Sequence, residues 1–592
     1  MASNDSALLA ASEMSATNMT ESLLANQTLA EQLSALPALL WDNRGFFLLE
    51  CRIIFTAMAC IYIGSHAALR RPPSANPPKR GKKGGPREKR DEEDQFVQGL
   101  LPSDAIVFPI MAGVMLMGLY YLIKWLEDPD ILNKILKVYF SAMSLASMGK
   151  LFADSLHFLT GFVFPTVWTS RDGKLYHVDP LRKGQWRNAD DSEGQVYDDK
   201  KKTPLPGWLS EWSLSDASNK FLWEVRHSLL EQWTVRFSVH GIVNETLKVK
   251  FNDILGVVLA VGANVLYYTT ESTFLSNVMG YAFSYAGIIL LSPTTFATGT
   301  AVLFGLFFYD IYMVFYTPYM VTVATKLDVP IKLVFEGPTK ASMLGLGDIV
   351  LPGIFVGLCL RFDHYMHYYR QRKLVPVELK SEDESSGQLV SSTKTQRMVV
   401  KPDYVSPQGQ WGDWFWNMGL LGGKLSPDAT PALKASAFPK TYFYTAMFGY
   451  LLAMIMTLAM LLVYRHAQPA LLYLVPGVVF AVWLAGLVRG EIREMWAYTE
   501  DGGLDTADTI VEVDGNGNVI DVVKDKEDDK KDGKKHELQI KLDANRAKHT
   551  ASKIDLLEEI EVLERKAADG KEKRYPVFLF SIEAPAPSAT SD

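Results

Sequence analysis

Runs of about 20 almost uncharged apolar residues recur along the chain, separated by segments dense in Lys, Arg, Asp and Glu, and this alternation decides what solvent the chain folds in. A backbone crossing hydrocarbon must satisfy its own polar groups. Runs of this length do so as helices, whereas a β-barrel would show short alternating segments. The spacing predicts nine spans, at 46–66, 104–125, 132–153, 251–269, 273–292, 295–316, 341–360, 441–463 and 469–488. A mean hydropathy of +0.03 is near zero only because it averages these runs with the charged segments between them. The expected fold class is therefore an all-α polytopic membrane protein with about nine transmembrane helices. Collagen, coiled-coil and wholly soluble readings are excluded.

Charge orients the spans. Arg70, Arg71, Lys79, Arg80, Lys82, Lys83, Arg87, Lys89 and Arg90 follow span one, while residues 1–50 hold Arg44 as their one basic residue, which places the N-terminus outside or in a lumen. Lys248 and Lys250 before span four, Arg361, Arg370, Arg372 and Lys373 after span seven, and Arg489 and Arg493 after span nine agree. Lys326, Lys332 and Lys340 in the loop at 317–340 vote against. The expected organisation is a lumenal tail at 1–45, spans one to three at 46–160, a cytosolic insertion at 161–249, and spans four to seven at 251–361. A second cytosolic insertion at 362–440, spans eight and nine at 441–489 and a charged, disordered cytosolic tail at 490–592 complete it. The first 40 residues lack the basic and apolar regions of a cleavable signal peptide, so the first span is expected to act as both signal and anchor.

Asn4, Asn18 and Asn26 begin Asn-x-Ser/Thr sequons in the lumenal tail and are candidate glycosylation sites, while Asn244 begins one on the cytosolic side. Cys51, Cys60 and Cys359 fall in or beside apolar runs and read as small buried hydrophobes. Asp172-Gly173 predicts a hairpin turn, and residues 551–566 a short amphipathic helix. Asp514, Asn516 and Asn518 begin like an EF-hand loop, but Val519 stands where that loop needs Gly, so a plain turn is the better reading. Lys150, Asp154 and His157 at the end of span three fit snorkelling at the interface.

Two carboxylates are out of place. Asp310 lies inside span six and Asp348 inside span seven, and a charge at such depth costs a few kcal/mol, which makes function the default reading. Span six runs outward and ends near Tyr316, while span seven runs inward from near Ala341. At 1.5 Å per residue both carboxylates lie ~9 to ~10 Å below the same surface. Antiparallel neighbours could hold them face to face. Two close carboxylates in a low dielectric cannot both ionise cheaply, so the pair shares a proton, the state in which one activates water and the other polarises a peptide carbonyl. Such chemistry needs no metal and no cofactor. Gly345 and Gly347 would let backbone or substrate approach Asp348, and Tyr309 could donate a hydrogen bond near the pair or simply pack. Depth alone leaves two alternatives open: a proton or cation pathway in a transporter or ion-leak channel, and a structural polar contact. Neither a His-Glu-x-x-His zinc motif nor a Gly-x-Ser-x-Gly elbow is present.

Tyr309-Asp310, Gly345-Leu346-Gly347-Asp348 and Gln468-Pro469-Ala470-Leu471, in that order, resemble the three signatures of the presenilin-type intramembrane aspartyl proteases. The segments 320–324, 330–335 and 466–476 are more similar to the signal peptide peptidase branch than to presenilin. The resemblance covers 46–160 loosely and 251–500 well. It implies a presenilin-like fold, catalytic Asp310 and Asp348, a cleft shaped by Tyr309, Gly345, Leu346 and Gly347, and a wall of Gln468, Pro469, Ala470 and Leu471. It further implies substrates that are membrane-embedded signal peptides or other type II spans, in the endoplasmic reticulum membrane. A homo-oligomer and endoplasmic-reticulum quality-control proteins are the partners it brings to mind besides the bilayer, and no nucleic acid. The loop at 317–340, rich in β-branched residues and bounded by prolines, is expected to form strands rather than helix and to bind substrate in extended form.

Overall fold

The computed structural model describes residues 44–76, 98–126, 129–170, 172–188, 195–239, 243–327, 329–337, 341–376, 379–382, 389–392, 396–418, 429–464, 468–500, 510–513, 519–522 and 578–583. The sequons at Asn4, Asn18 and Asn26, the EF-hand-like run and the stretch 551–566 lie outside these residues. Asn244 lies in a strand.

Among the described residues, nine long helices overlap the nine runs: α1 (Arg44–Ala67), α2 (Asp104–Leu126), α3 (Pro129–Val163), α4 (Phe251–Thr270), α5 (Thr273–Leu290), α6 (Phe296–Phe315), α7 (Leu346–Arg370), α8 (Thr441–Tyr464) and α9 (Leu471–Arg489). Seven of them are long and apolar enough to cross a membrane; α3 and α7, which carry several charges, are the two that fall outside that set. Small residues set how closely neighbours approach. A Cβ on Gly256 of α4 would stand 2.6 Å from the backbone nitrogen of Ala153 in α3, and one on Gly477 of α9 would stand 2.6 Å from the Ala453 side chain of α8. Only glycine admits these contacts.

The centre of the molecule is α7. Pro352, Gly353 and every residue from Ile354 to Met366 are buried, and Phe355, Val356, Leu358, Leu360 and Phe362 join one core with residues of α1, α6, α8 and α9. A helix buried on all sides belongs inside the bundle rather than against lipid, and its buried Arg361 and Asp363 have polar partners there. At its far end Asp363 accepts the backbone N–H groups of Tyr442 (3.2 Å) and Phe443 (2.9 Å), capping the start of α8.

Glu500, beyond α9, closes the side of the bundle on which the insertions lie. Its carboxylate binds the Arg70 guanidinium, Arg361 Nε at 2.8 Å, the Ser292 hydroxyl at 2.5 Å and the Tyr498 hydroxyl at 2.7 Å, and its backbone N–H donates to Thr294. Tyr498 is 2% exposed. Burial alone would push the Glu500 carboxyl up, but Arg361 and Arg70 outweigh it and hold the group down to about 2.

Two expectations need correction. Span seven does not run as helix from 341: Ala341–Gly345 is a strand, and the helix begins at Leu346 and continues to Arg370, nine residues past the expected boundary at 361. The loop at 317–340 is not all strand, since Tyr319–Lys326 forms a short helix. Pro318 starts it, and its Val323 and Leu327, four residues apart, bury against Ile123 and Leu132 of α2 and α3; packing overrides β-branched propensity. The second half does form a strand.

The first insertion holds a four-stranded antiparallel sheet beginning with the hairpin 167–179, whose turn contains Asp172-Gly173 as expected, Gly173 with φ of 78°. It ends in two long antiparallel strands, β1 (Gln232–Val239) and β2 (Val243–Lys250). Farther on come β3 (Lys332–Glu336) and β4 (Ala341–Gly345), and near the end of the chain β5 (Phe578–Glu583), which pairs with β1. Cys60 and Cys359 are buried, but Cys51 is exposed on α1.

Candidate active site

Three signatures far apart in sequence meet at the side of the bundle opposite the insertions. Asp310 sits near the end of α6 and is 5% exposed. Its Oδ2 accepts the backbone N–H of Leu471 at 3.2 Å. Leu471 is the first residue of α9, where helical N–H groups have no partner inside the helix, and Pro469 two residues earlier has no N–H to offer. The positive end of α9 thus points at a carboxylate. Pro469 and Leu471 are buried, Gln468 and Ala470 half-buried, and the Pro469 carbonyl accepts from Leu472 at 3.2 Å, so Gln468–Leu471 is a tight entry into α9 beside Asp310.

Asp348 lies in the first turn of α7, three residues after β4 ends. The helices that carry Asp310 and Asp348, α6 and α7, are in contact, with both residues toward the same side of the bundle. A Cβ on Gly345 would stand 3.3 Å from Asp348 Oδ2, while Gly347 is exposed and a Cβ there would meet the Leu351 side chain at 3.9 Å. Leu346 donates its backbone N–H to the Ile331 carbonyl at 3.2 Å and is half-buried. Tyr309 turns its ring toward α2, 3.6 Å from where a Cβ on Gly113 would be. Two residues escaped sequence reasoning. Tyr450 of α8, fully buried, donates its hydroxyl to the Asp348 carbonyl at 3.3 Å, and Asn277 of α5 clamps β3 by bonding both the N–H and the C=O of Val334, at 2.8 and 2.7 Å. An Asn in an apolar run was the available signal for the second; a Tyr among aromatics gave none.

The hairpin β3–β4 delivers the chain to Asp348, and among the described residues no further strand pairs with the outer edge of β4. Leu346 bonds Ile331, so that pair is hydrogen-bonded, and alternation makes Met343 opposite Val334 a non-bonded pair. The Asn277 clamp on the outward groups of Val334 agrees. Ala341, Met343 and Gly345 therefore aim their backbone N–H and C=O groups away from β3. Met343 is 52% exposed. Ser342 of β4 donates its hydroxyl to Glu50 of α1 at 3.2 Å, while Leu344 is buried in the core.

The family model for signal peptide peptidase matches residues 91–502. The signal peptide peptidases of Mus musculus and Homo sapiens are each 27% identical over 412 residues, covering 68% of this chain and 75% of theirs. A probable intramembrane protease of Schizosaccharomyces pombe is 30% identical over 260 residues, 43% of this chain and 67% of its own. All three signatures lie inside the matched region.

Proposed function

The chain belongs to the signal peptide peptidase family and is by that membership an intramembrane protease, and we propose that it is an aspartyl endopeptidase in which Asp310 and Asp348 activate one water molecule. The observation that carries this reading is the convergence of a carboxylate at the start of α9 with a second at the start of α7, beside a strand edge. The Leu471 N–H and the terminus of α9 favour negative charge on Asp310, which assigns it the base and leaves the shared proton on Asp348.

The water gives one proton to Asp310 while its oxygen bonds the scissile carbonyl carbon, and Asp348 donates its proton to the carbonyl oxygen. On collapse the proton on Asp310 passes to the amide nitrogen, the C–N bond breaks, and Asp348 recovers its proton from the oxygen. A helical substrate hides its peptide bonds, so it must unwind first. The outward groups of Ala341, Met343 and Gly345 can pair with the unwound segment and compensate the helical hydrogen bonds it loses within the membrane. Tyr309, Gly347 and Gln468 to Leu471 border that cleft.

The family name supports membrane-embedded signal peptides as substrates, with other type II segments the broader class, and the endoplasmic reticulum membrane as location. The charge asymmetry supports a lumenal N-terminus and a cytosolic C-terminus. The test is cleavage of a transmembrane peptide by the purified protein in detergent. Wild type should cut it; Asp310→Ala and Asp348→Ala should each fall to background, and the double variant no further, as for residues acting as a unit. Substantial cleavage by either single variant, folded by its melting curve, would sink the dyad.

A further inference from the structure

The strands β1, β2 and β5 form a three-stranded antiparallel sheet with sharply different faces. Paired residues share a face and faces alternate along each strand. One face carries Trp233, Phe237, Leu247, Phe580 and Ile582, which are 43%, 37%, 57%, 55% and 54% exposed, with Val235 and Val249 and one charged position, Glu245 opposite Phe237. The other carries Thr234, Arg236, Lys248, Ser581 and Glu583, with Arg236 and Glu583 paired at 3.5 Å. A three-stranded sheet needs its apolar face covered to be stable, and among the described residues Trp233, Leu247, Phe580 and Ile582 stay largely exposed.

We propose that this face rests on lipid, at the headgroup–acyl boundary of the leaflet facing the insertions. The argument is continuity with the membrane surface of α4. Strand β2 ends at Lys250 and α4 begins at Phe251, with no residue between. The junction is fixed: the Lys250 N–H donates to the Asp253 carboxylate at 2.8 Å, Asp253 also meets His157 at 2.8 Å, and Asn252 bonds Thr160 at 2.9 Å, both on α3. The 20 residues of α4 span ~30 Å, the thickness of the hydrocarbon layer, so Phe251 marks its boundary. Phe251, Ile254, Val257 and Val258 are exposed on α4 and face lipid. The sheet therefore starts at the level where aromatic side chains such as Trp233 are favoured, and the nearest apolar phase able to cover it is the bilayer. Because β5 is its edge strand, docking would hold residues 578–583 of the tail at the membrane as well.

The test uses the full-length chain, one copy per lipid nanodisc, with the exposed Cys51 replaced by Ala and the buried Cys60 and Cys359 retained. An environment-sensitive fluorophore is attached at Leu247→Cys or Phe580→Cys on the apolar face, and at Thr234→Cys or Ser581→Cys on the other. Each variant is accepted only if it melts like the unlabelled protein. The labels at 247 and 580 should lose emission to lipid-borne doxyl groups, at a depth of about 5–10 Å, and resist aqueous iodide. The labels at 234 and 581 should do the reverse. Iodide quenching at 247 and 580 without doxyl quenching would overturn the proposal by placing the face in water. Protection there from both quenchers would overturn it in favour of a protein cover.

Discussion

Replacing Glu500 by Ala tests whether the cluster at its carboxylate holds the bundle together. The substitution leaves Arg361, whose side chain is 4% exposed, as a buried charge without its partner, and breaking such a pair costs about 3–5 kcal/mol. A second route gives a similar figure. A carboxyl held at about 2 rather than 4.5 contributes about 3 kcal/mol at neutral pH. For a folded body of roughly 400 residues, 3 kcal/mol lowers the melting midpoint by about 4 °C. The sign with pH follows from the depressed value: the contribution is complete above about pH 4.5 and disappears as pH falls toward about 2. The assay is thermal unfolding in detergent, followed by tryptophan fluorescence at pH 7 and stepwise down to about pH 2, across the window in which the contribution is lost. Glu500→Ala and Glu500→Gln should lower the midpoint and flatten its acid dependence, while Glu271→Ala, removing the 76% exposed partner of Lys137, should leave both nearly unchanged. A midpoint for Glu500→Ala within 1 °C of wild type, or an unaltered acid slope, would refute the reasoning.

Three further outcomes are expected. Met343→Pro removes an outward N–H of β4 that the hairpin does not use, so kcat/KM should fall roughly threefold to tenfold with the fold intact, whereas Leu344→Pro should unfold the hairpin; equal effects of the two on stability would deny the free edge. Ala470→Leu should reduce cleavage about 10- to 100-fold by shifting the entry to α9 against Asp310, measured beside binding of a transition-state analogue; normal values of both would remove this segment from the site. Glycosidase should shift the mobility of the cell-expressed protein through Asn4, Asn18 or Asn26, and a glycan mapped to Asn244 would invert the side on which the insertions lie.

The helices were legible because a span of hydrocarbon imposes both length and composition, and each of the nine runs contains one. The start of α7 was misread for a physical reason. Ala341–Gly345 is as apolar as the helix it precedes, and its strand state comes from pairing with β3, a contact that no local pattern announces. The same limit hid the short helix Tyr319–Lys326. Asp310 and Asp348 stood out because charge in hydrocarbon is costly. The backbone N–H of Leu471 and the clamp of Asn277 on Val334 could not stand out, since each depends on a register between helices distant in sequence.

The burial of α7 on every side has a consequence in time as well as in space. The amide groups between Gly353 and Met366 should exchange with water only when the whole bundle opens, while β4, with outward groups and an exposed Met343, should exchange through small local fluctuations. Asp348 stands within three residues of that change of rate. One carboxylate thus stands on the first turn of a helix whose continuation is the most protected part of the molecule, beside a strand that can yield, so an incoming chain can be taken up by the strand while the helix holds the group it must meet.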